Sequence, residues 1–290
     1  HESVNRMERL KRDDQASGPF AWRGYTDGTA TPVEILFVPP QRFVGQAFVH
    51  TAAPAHLAKT AQNGQTLLQV ATSETHQDEE QIYAKAGLPY IVPEMREGVL
   101  EFDWVQKHQE ADLVKLADLK GVLHNHSTYS DGKHTLEEMA RYCQSLGYEY
   151  FGITDHSKSA FYANGLVEDR IRQQHAEIDE LNRKLAPFRV FKGIESDILT
   201  DGSLDYDEDV LKTFDFVIAS VHSGLGMDEE KATKRLIRAV ENPYTTILGH
   251  LTGRLLLRRE GYPVDHRKVI DACVANGVII EINASPWRLD

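Results

Sequence analysis

The sequence predicts an α/β protein whose second part forms a parallel sheet or a (β/α) barrel. From Gly121 onward, short runs rich in apolar and β-branched residues alternate with amphipathic helical segments. Such alternation is typical of parallel sheets and barrels. Earlier in the chain the pattern is different, and residues 1–30 are polar and contain several turn signals. We therefore divide the chain into a small α+β region, residues 1–110, and a barrel domain, residues 111–290.

Composition sets the broad class of the protein. Its 290 residues are 41% hydrophobic and 26% charged, which is ordinary for one large globular domain or one large and one small. The net charge of −12 argues against a protein that coats nucleic acid. No run approaches the roughly 18 apolar residues of a membrane helix, and the N-terminus lacks a signal peptide's apolar core. We expect a cytoplasmic protein without a membrane partner.

In the N-terminal region, residues 32–38 have the composition of a strand that Pro39 and Pro40 end. Residues 43–68 carry helical spacing with many alanines, and residues 78–87 predict a short helix that stops at a glycine. A proline-flanked loop, residues 88–98, follows. Both cysteines, Cys143 and Cys273, lie in helix-like segments outside any CxxC pair, so we expect them buried as small apolar residues.

The barrel domain contains six predicted strands and four predicted helices. The strands are residues 121–126, 150–156, 190–197, 214–222, 245–250 and 277–283. The helices are residues 135–146, 168–185, 228–241 and 265–276. Thr135 and Glu138 form a capping-box pattern at the start of the first of these helices.

Metal-binding side chains recur at the ends of the first five predicted strands. In a (β/α) barrel the carboxyl ends of the strands share one face, so these side chains should converge there. His124 and His126 are two positions apart, and alternate residues of a strand point the same way. The candidate metal ligands are His124, His126, Asp131, His156, Glu195, His222 and His250.

Imidazole and carboxylate groups without a thiolate suit zinc, manganese or iron. A lone histidine at a strand end is more often a hydrogen-bonded structural residue, but five strand ends in register favour a metal cluster. Asp155 is either a ligand or a partner that orients a ligating histidine. Asp197 is either a ligand or a loop cap.

Five separated motifs resemble the polymerase and histidinol phosphatase (PHP) domain over residues 118–290. They are His124-Asn-His126 with Asp131-Gly132, Ile153-Thr-Asp-His156, Gly193-Ile-Glu195, Ala219-Ser-Val-His222 and Leu248-Gly-His250. The resemblance implies a distorted seven-stranded (β/α) barrel that holds up to three divalent metals and hydrolyses phosphate esters. Manganese is the metal we expect, with zinc or iron as alternatives.

Further stretches resemble the PHP domain of bacterial family X DNA polymerases. These are residues 250–262 and 281–290, with residues 33–43 similar to the last palm strand and residues 88–98 to the end of the thumb. Residues 1–110 thus resemble a partial palm and thumb. Glu34 stands where the family has an aspartate, and the preceding Asp-x-Asp pair and helix-hairpin-helix domain are absent, so we do not expect polymerase activity. The family's last strand and its Asp-x-His motif should follow Asp290, so we expect two of the family's nine ligands to be missing and one metal position to be weakened or lost.

The resemblance implies action on DNA ends by a metal-activated hydroxide: 3′–5′ exonuclease, 3′-phosphatase or abasic-site cleavage. The catalytic residues we expect are His124, His126, Asp131, Glu195 and Arg254. DNA binding should be weak and salt-sensitive. Two alternatives stay open, a small-molecule phosphatase of the histidinol phosphate type and an inactive metal-binding module that docks on DNA.

Three arginines follow His250, and one of them could hold the substrate phosphate in its planar fork. We favour Arg254, because it follows a turn glycine, whereas a solvated basic run is an equal interpretation of Arg258 and Arg259. Tyr129 and Ser130 could line the entrance to the site. A packing role is at least as good an interpretation of Tyr129.

Overall fold

The structure is a computed structural model that describes residues 2–28, 30–108 and 113–290. Its contacts divide the chain into two compact units, residues 1–114 and residues 115–290. The boundary expected between residues 110 and 111 lies outside the described residues. Among the helices of the described ranges, none is both long and apolar enough to cross a membrane.

The first unit opens with a short helix, α1 (Glu2–Asn5), and a small antiparallel sheet. The sheet has the order β1 (Leu10–Arg12), β2 (Ala21–Thr26), β3 (Pro32–Leu36), with Ala21 opposite Leu36. The strand predicted over residues 32–38 is therefore present and ends two residues early. The prolines that follow lack the N–H donors that a ladder needs.

Short helices complete the first unit. They are α2 (Phe43–His50), α3 (Pro54–Leu57), α4 (Leu67–Ser73), α5 (Glu79–Ala86) and α6 (Glu101–Trp104). The continuous helical spacing predicted over residues 43–68 is wrong, because Pro54 starts a new helix and Gly64 turns the chain at φ +83. The helix predicted to end at Gly87 is confirmed, with Gly87 in the left-handed conformation.

A buried arginine fixes the proline-flanked loop of residues 88–98. The guanidinium of Arg96 lies 2.5 Å from Oε2 of Glu79 and donates to the Ile91 carbonyl at 3.0 Å. It also lies 4.7 Å from the ring centroid of Phe48. Because a buried charge needs a partner, the ion pair and the loop carbonyl hold this loop in one conformation.

The second unit is built on a parallel sheet whose six strands are ordered as in the chain. They are β4 (Gly121–Val122), β5 (Tyr150–Ile153), β6 (Arg189–Asp197), β7 (Phe216–Ser220), β8 (Ile247–Leu248) and β9 (Ile279–Ile280). The connecting helices are α7 (Leu136–Ser145), α8 (Glu168–Leu185), α9 (Glu208–Leu211), α10 (Glu229–Val240) and α11 (His266–Asn276). The predicted α/β fold class is confirmed, and the sheet forms a half-barrel.

Apolar faces of the helices cover this sheet. Ile178 of α8 and Leu136 of α7 pack with Phe151 of β5 in one buried cluster. Leu236 of α10 joins Ile194 of β6 in a second cluster. The helices match their predicted bounds closely, because amphipathic spacing and caps such as Thr135 are local signals. Five of the six strands are shorter than predicted, β6 is one residue longer, and β4 ends before His124.

Candidate metal centre

A cavity of about 830 Å³ opens where the strands of the second unit end. Its polar lining comes from the segments that follow the strands and, at Glu195, from β6 itself. The lining includes His124, Asn125, His126, Asp131, His156, Glu195, His222, His250, Glu281 and Asn283. Its aliphatic lining includes Val122, Ile218, Ile247 and Ile280.

Glu195 occupies the middle of the polar lining and is 1% exposed. Three imidazoles meet its Oε1 atom: Nε2 of His124 at 3.1 Å, Nε2 of His222 at 3.1 Å and Nε2 of His250 at 2.9 Å. Each of these histidines follows a different strand, so the sheet curvature brings them to one carboxylate.

The other oxygen of Glu195 faces two further rings. Nδ1 of His156 lies 3.1 Å from Oε2, and Nε2 of His126 lies 3.5 Å from it. The rings of His126 and His156 are stacked, with centroids 4.4 Å apart. One buried carboxylate is thus surrounded by five imidazoles, more than the roughly four lone-pair sites of a carboxylate can accept from.

Two carboxylates contact the ring nitrogens of His124 and His222 that face away from Glu195. Oε1 of Glu281 lies 2.5 Å from Nδ1 of His124, and Oδ1 of Asp197 lies 2.5 Å from Nδ1 of His222. Such contacts fix the tautomer and orientation of a ring whose other nitrogen faces the centre. Asp197 also accepts a hydrogen bond from Ser159 Oγ at 2.8 Å.

Asp131 lies at the outer side of the cluster and its side chain is half-exposed. Its Oδ1 is 3.8 Å from Nδ1 of His126 and 3.8 Å from Nε2 of His156. Gly132 lets the loop fold back at this point, because a Cβ there would lie 2.0 Å from the carbonyl oxygen of His126. The Asp-Gly pair is therefore a requirement of this turn.

The charges of the site move the pKa values of its histidines in opposite directions. Burial opposes a charge on His124, but the carboxylates of Glu195 and Glu281 outweigh it and raise its pKa to about 10. The same balance, with Glu195 and Asp197, raises the pKa of His222 to about 9. Burial and the neighbouring rings lower the pKa of His156 to about 4. Against its own burial, the cationic rings hold the pKa of Glu195 well below its ordinary value.

These residues fit divalent metals. Three groups each bring ligand atoms within 4.8 Å of one another: His124 with Glu195 and His250, His126 with His156 and Glu195, and His156 with Asp197 and His222. Among the described residues, the buried Nδ1 atoms of His126, His156 and His250 make no hydrogen bond. Unpaired imidazole nitrogens beside carboxylates, without a thiolate, form a donor set for zinc, manganese or iron.

Asp155 has a different role from either one expected. Its two oxygens accept hydrogen bonds from Ser127 N at 2.7 Å, Ser127 Oγ at 2.7 Å, Ser130 N at 3.1 Å, Ser130 Oγ at 2.5 Å and Gln174 Nε2 at 2.6 Å. It holds the loop after His126 and contacts no imidazole in the described structure. Ser130 is consequently a structural donor, and Tyr129 packs on the core and donates to Glu177 at 2.8 Å.

The arginines after His250 lie outside the lining of the cavity. Arg254 donates from Nε to the carbonyl of Arg288 at 3.0 Å. Arg258 stacks 5.1 Å from the ring centroid of Trp287, and Arg259 donates to the Gly253 carbonyl. Direct phosphate contact by Arg254 stays a prediction. Arg288 is the arginine that lines the cavity.

Sequence reasoning did not single out Tyr162, Glu281 or Arg288, which all line the cavity. Glu281 comes directly after β9, so the rule that located the other ligands could have found it. Tyr162 lies on a short 3-10 helix, Phe161–Ala163, with no local pattern that indicates its position. Cys143 and Cys273 are buried and free, as expected.

A parallel α/β half-barrel with a histidine–carboxylate cluster at its strand ends defines the class of protein: an α/β-barrel protein with a candidate multinuclear metal centre. Residues 122–285 match the model of the PHP domain. The chain belongs to the PHP domain family, which confirms the resemblance drawn from its motifs.

Relatives of two kinds are similar to this chain. The DNA polymerase/3′-5′ exonuclease PolX of Bacillus subtilis (strain 168) is 43% identical over 233 residues, which are 80% of this chain and 40% of that protein. A probable phosphatase of Thermoanaerobacter sp. (strain X514) is 34% identical over 58% of this chain and 67% of its own length. Another, of Acetivibrio thermocellus, is 30% identical over 55% of this chain and 63% of its own.

Proposed function

We propose that the chain is a metal-dependent phosphoesterase that acts on DNA ends, as a 3′–5′ exonuclease, a 3′-phosphatase or an enzyme that cleaves abasic sites. One observation carries the proposal: five imidazoles converge on the buried Glu195 at the mouth of the half-barrel. Phosphate esters react slowly without strong charge stabilisation, and clustered divalent metals are a common solution. The family membership and the names of the relatives support the same reaction class.

We assign metal binding to the seven predicted ligands, His124, His126, Asp131, His156, Glu195, His222 and His250. Divalent metals in such a site supply a Lewis acid and a nucleophile at neutral pH. Glu195 contacts imidazoles of all three ligand groups, so its carboxylate would be shared among the residues that hold the metals. Asp197 and Glu281 hold His222 and His124 in the orientation that keeps Nε2 toward the centre. Manganese is the metal we propose, with zinc and iron as alternatives.

DNA is the substrate that the Bacillus relative supports. The 233 matched residues exceed the length of residues 122–290, so the similarity extends into the first unit, which resembles a partial palm and thumb. The chain spans only 40% of that relative, whose printed name includes both polymerase and exonuclease. We propose the nuclease part for this chain and weak DNA binding at ends or gaps.

A small-molecule phosphatase is the second candidate. The relatives named probable phosphatases favour it, because their similarity covers little more than half of this chain. A phosphatase that acts on small esters needs no DNA-binding unit beside the barrel. The two candidates therefore differ in the size of substrate that the protein turns over.

One experiment separates these functions. The protein is dialysed against EDTA, reloaded with manganese, and given a 3′-labelled oligonucleotide or histidinol phosphate in parallel. We expect shortening or 3′-dephosphorylation of the oligonucleotide. Turnover of histidinol phosphate alone would favour the small-molecule phosphatase.

The control is the double variant His124→Ala, His126→Ala, which must abolish the activity while the protein stays folded. Metal analysis of the same samples shows whether manganese binds. Bound metal without turnover of either substrate, at any metal concentration, would favour the inactive DNA-docking module and contradict the enzyme proposal.

A further inference from the structure

Arg288 is the one lysine or arginine that lines the cavity, within the part of the chain that the structure describes. The other charged groups of the lining are carboxylates, with imidazoles between them. An arginine in such surroundings is expected to pair with a carboxylate, because a guanidinium and a carboxylate fit each other through two parallel hydrogen bonds.

Arg288 makes no such pair. Across residues 2–28, 30–108 and 113–290, no carboxylate oxygen lies within 4.0 Å of its guanidinium nitrogens. Its single side-chain hydrogen bond runs from Nη1 to the carbonyl of Arg254 at 3.4 Å. A guanidinium has five N–H donors, so most of its capacity is available to an anion.

The backbone that carries Arg288 is firmly held against the segment after His250. Nε of Arg254 donates to the carbonyl of Arg288 at 3.0 Å. Nearby, Asp290 accepts from Thr252 N at 3.1 Å and from Thr252 Oγ1 at 2.7 Å. These bonds hold the backbone at Arg288 before any ligand binds, which limits the positions open to the guanidinium, and preorganisation of this kind increases affinity.

Arg288 shares its cavity with the predicted metal ligands. The ring of Tyr162, which lines the same cavity, lies 6.1 Å from the ring of His156. An anion bound in this cavity would therefore meet both the ligand cluster and the guanidinium of Arg288.

We infer that Arg288 binds a phosphate group of the substrate and that Arg254 is the residue that positions it. This inference rests on the proposed function and replaces direct phosphate contact by Arg254. The planar fork of Arg288 suits two oxygens of one phosphate, whereas a lysine offers a single point of charge. The ligand class is a phosphate monoester or diester whose reacting phosphorus lies at the metal site.

Phosphate binding tests the inference without requiring turnover. Inorganic phosphate is titrated into the manganese-loaded protein by calorimetry, for wild type, Arg288→Met and Arg288→Lys. We expect Arg288→Met to raise the dissociation constant about tenfold to a hundredfold, the range for loss of a charge-assisted pair. The dissociation constant of Arg288→Lys should lie between those of wild type and Arg288→Met. The matched control is Arg258→Met, which removes an arginine that stacks on Trp287 and does not line the cavity.

The positioning role of Arg254 is tested by a double-mutant cycle. Arg254→Met should raise the phosphate dissociation constant severalfold in the wild-type background and leave it unchanged in the Arg288→Met background. Equal effects in both backgrounds would mean that Arg254 acts on phosphate independently, and that part of the inference would fail. Manganese content is measured for every variant and should be equal.

Two results would distinguish failure of this inference from failure of the proposed function. If wild type binds phosphate and Arg288→Met binds it equally well, the inference is wrong even if the oligonucleotide is cleaved. If wild type cleaves no ester but binds phosphate in an Arg288-dependent manner, the inference holds and the proposed enzyme function fails. Where the oligonucleotide is cleaved, Arg288→Met should raise KM more than it lowers kcat for phosphate-bearing ends.

Discussion

Glu281 and His124 are 157 positions apart in the chain, and Oε1 of Glu281 lies 2.5 Å from Nδ1 of His124. Glu281 follows β9 and His124 follows β4, the two edge strands of the sheet. A side-chain contact therefore joins the two edges at the mouth, where the described structure has no strand ladder between them. Oε2 of Glu281 adds a hydrogen bond from the backbone N–H of His250 at 2.9 Å.

Substitution Glu281→Gln should weaken metal binding. The amide cannot hold the ring of His124 with the same charge, and loss of a carboxylate that supports a ligating histidine costs about tenfold to a hundredfold in metal affinity. Competition with a chromogenic chelator measures this affinity. The control is Glu260→Gln, which changes an exposed glutamate that does not line the cavity. Equal affinities for wild type and Glu281→Gln would contradict the supporting role.

Metal binding should release protons. In the metal-free protein His124 and His222 have pKa values of about 10 and about 9, so both rings are protonated at pH 7. A metal binds only the neutral ring, so loading both positions should release about two protons. Affinity should rise with pH until both rings titrate, toward pH 9–10.

Calorimetry in buffers of different ionisation enthalpy, such as PIPES, HEPES and Tris, measures that release as the slope of the observed heat. The variant His222→Ala should release one proton fewer. A binding heat that is independent of the buffer would show that these rings are neutral before the metal binds.

Asp155→Asn should destabilise the second unit. The carboxylate accepts hydrogen bonds from Ser127, Ser130 and Gln174. In asparagine one of the two oxygens is replaced by an NH₂ group, which cannot accept, so some of these donors would lose their acceptor. We expect a loss of about 2–4 kcal/mol in the free energy of unfolding, from the cost of buried donors left without an acceptor. Urea denaturation in EDTA measures it, and Ser130→Ala, which removes one donor, should lose less. A loss no larger than that of Ser130→Ala would contradict this account.

His175 should make the protein sensitive to acid. Burial lowers the pKa of His175 most and the nearby Lys192 cation lowers it further, from 6.5 to about 4. A histidine that folding keeps neutral stabilises the protein above pH 6.5, and this contribution is lost as the pH falls toward 4. His175→Gln should therefore lose less stability than wild type between pH 7 and pH 5, as measured by urea unfolding in EDTA. Parallel losses in the two proteins would show that another group is responsible.

Much of this architecture could be predicted, because its signals are local. Helix α8 has the predicted bounds of residues 168–185, since amphipathic spacing continues without interruption between them. The convergence of His124, His156 and Glu195 followed from one rule, that parallel strands end at the same edge of a sheet. The predicted ends of the strands were less exact. β4 stops at Val122 because the chain leaves the hydrogen-bonded ladder before His124.

The position of Arg288 and the role of Asp155 could not be predicted in this way. Direct phosphate contact by Arg254 stays a prediction, but no local pattern indicates that the chain returns at residues 285–290 and brings Arg288 to the cavity. Asp155 follows a strand like the ligands do, and only the packing of Gln174 and the loop after His126 shows that it serves the loop. Both assignments depend on contacts between distant parts of the chain.

Every strand of the six-stranded sheet contains or is followed by at least one group of the cluster, from His124 after β4 and Glu195 within β6 to Glu281 after β9. No contiguous fragment of the domain therefore contains a complete centre, and the cluster cannot be moved to another scaffold by grafting one loop. Metal occupancy becomes a measure of folding for the whole domain. A bound metal should link the outermost strands into one cooperative unit, so hydrogen exchange at β4 and β9 should slow together when metal is added.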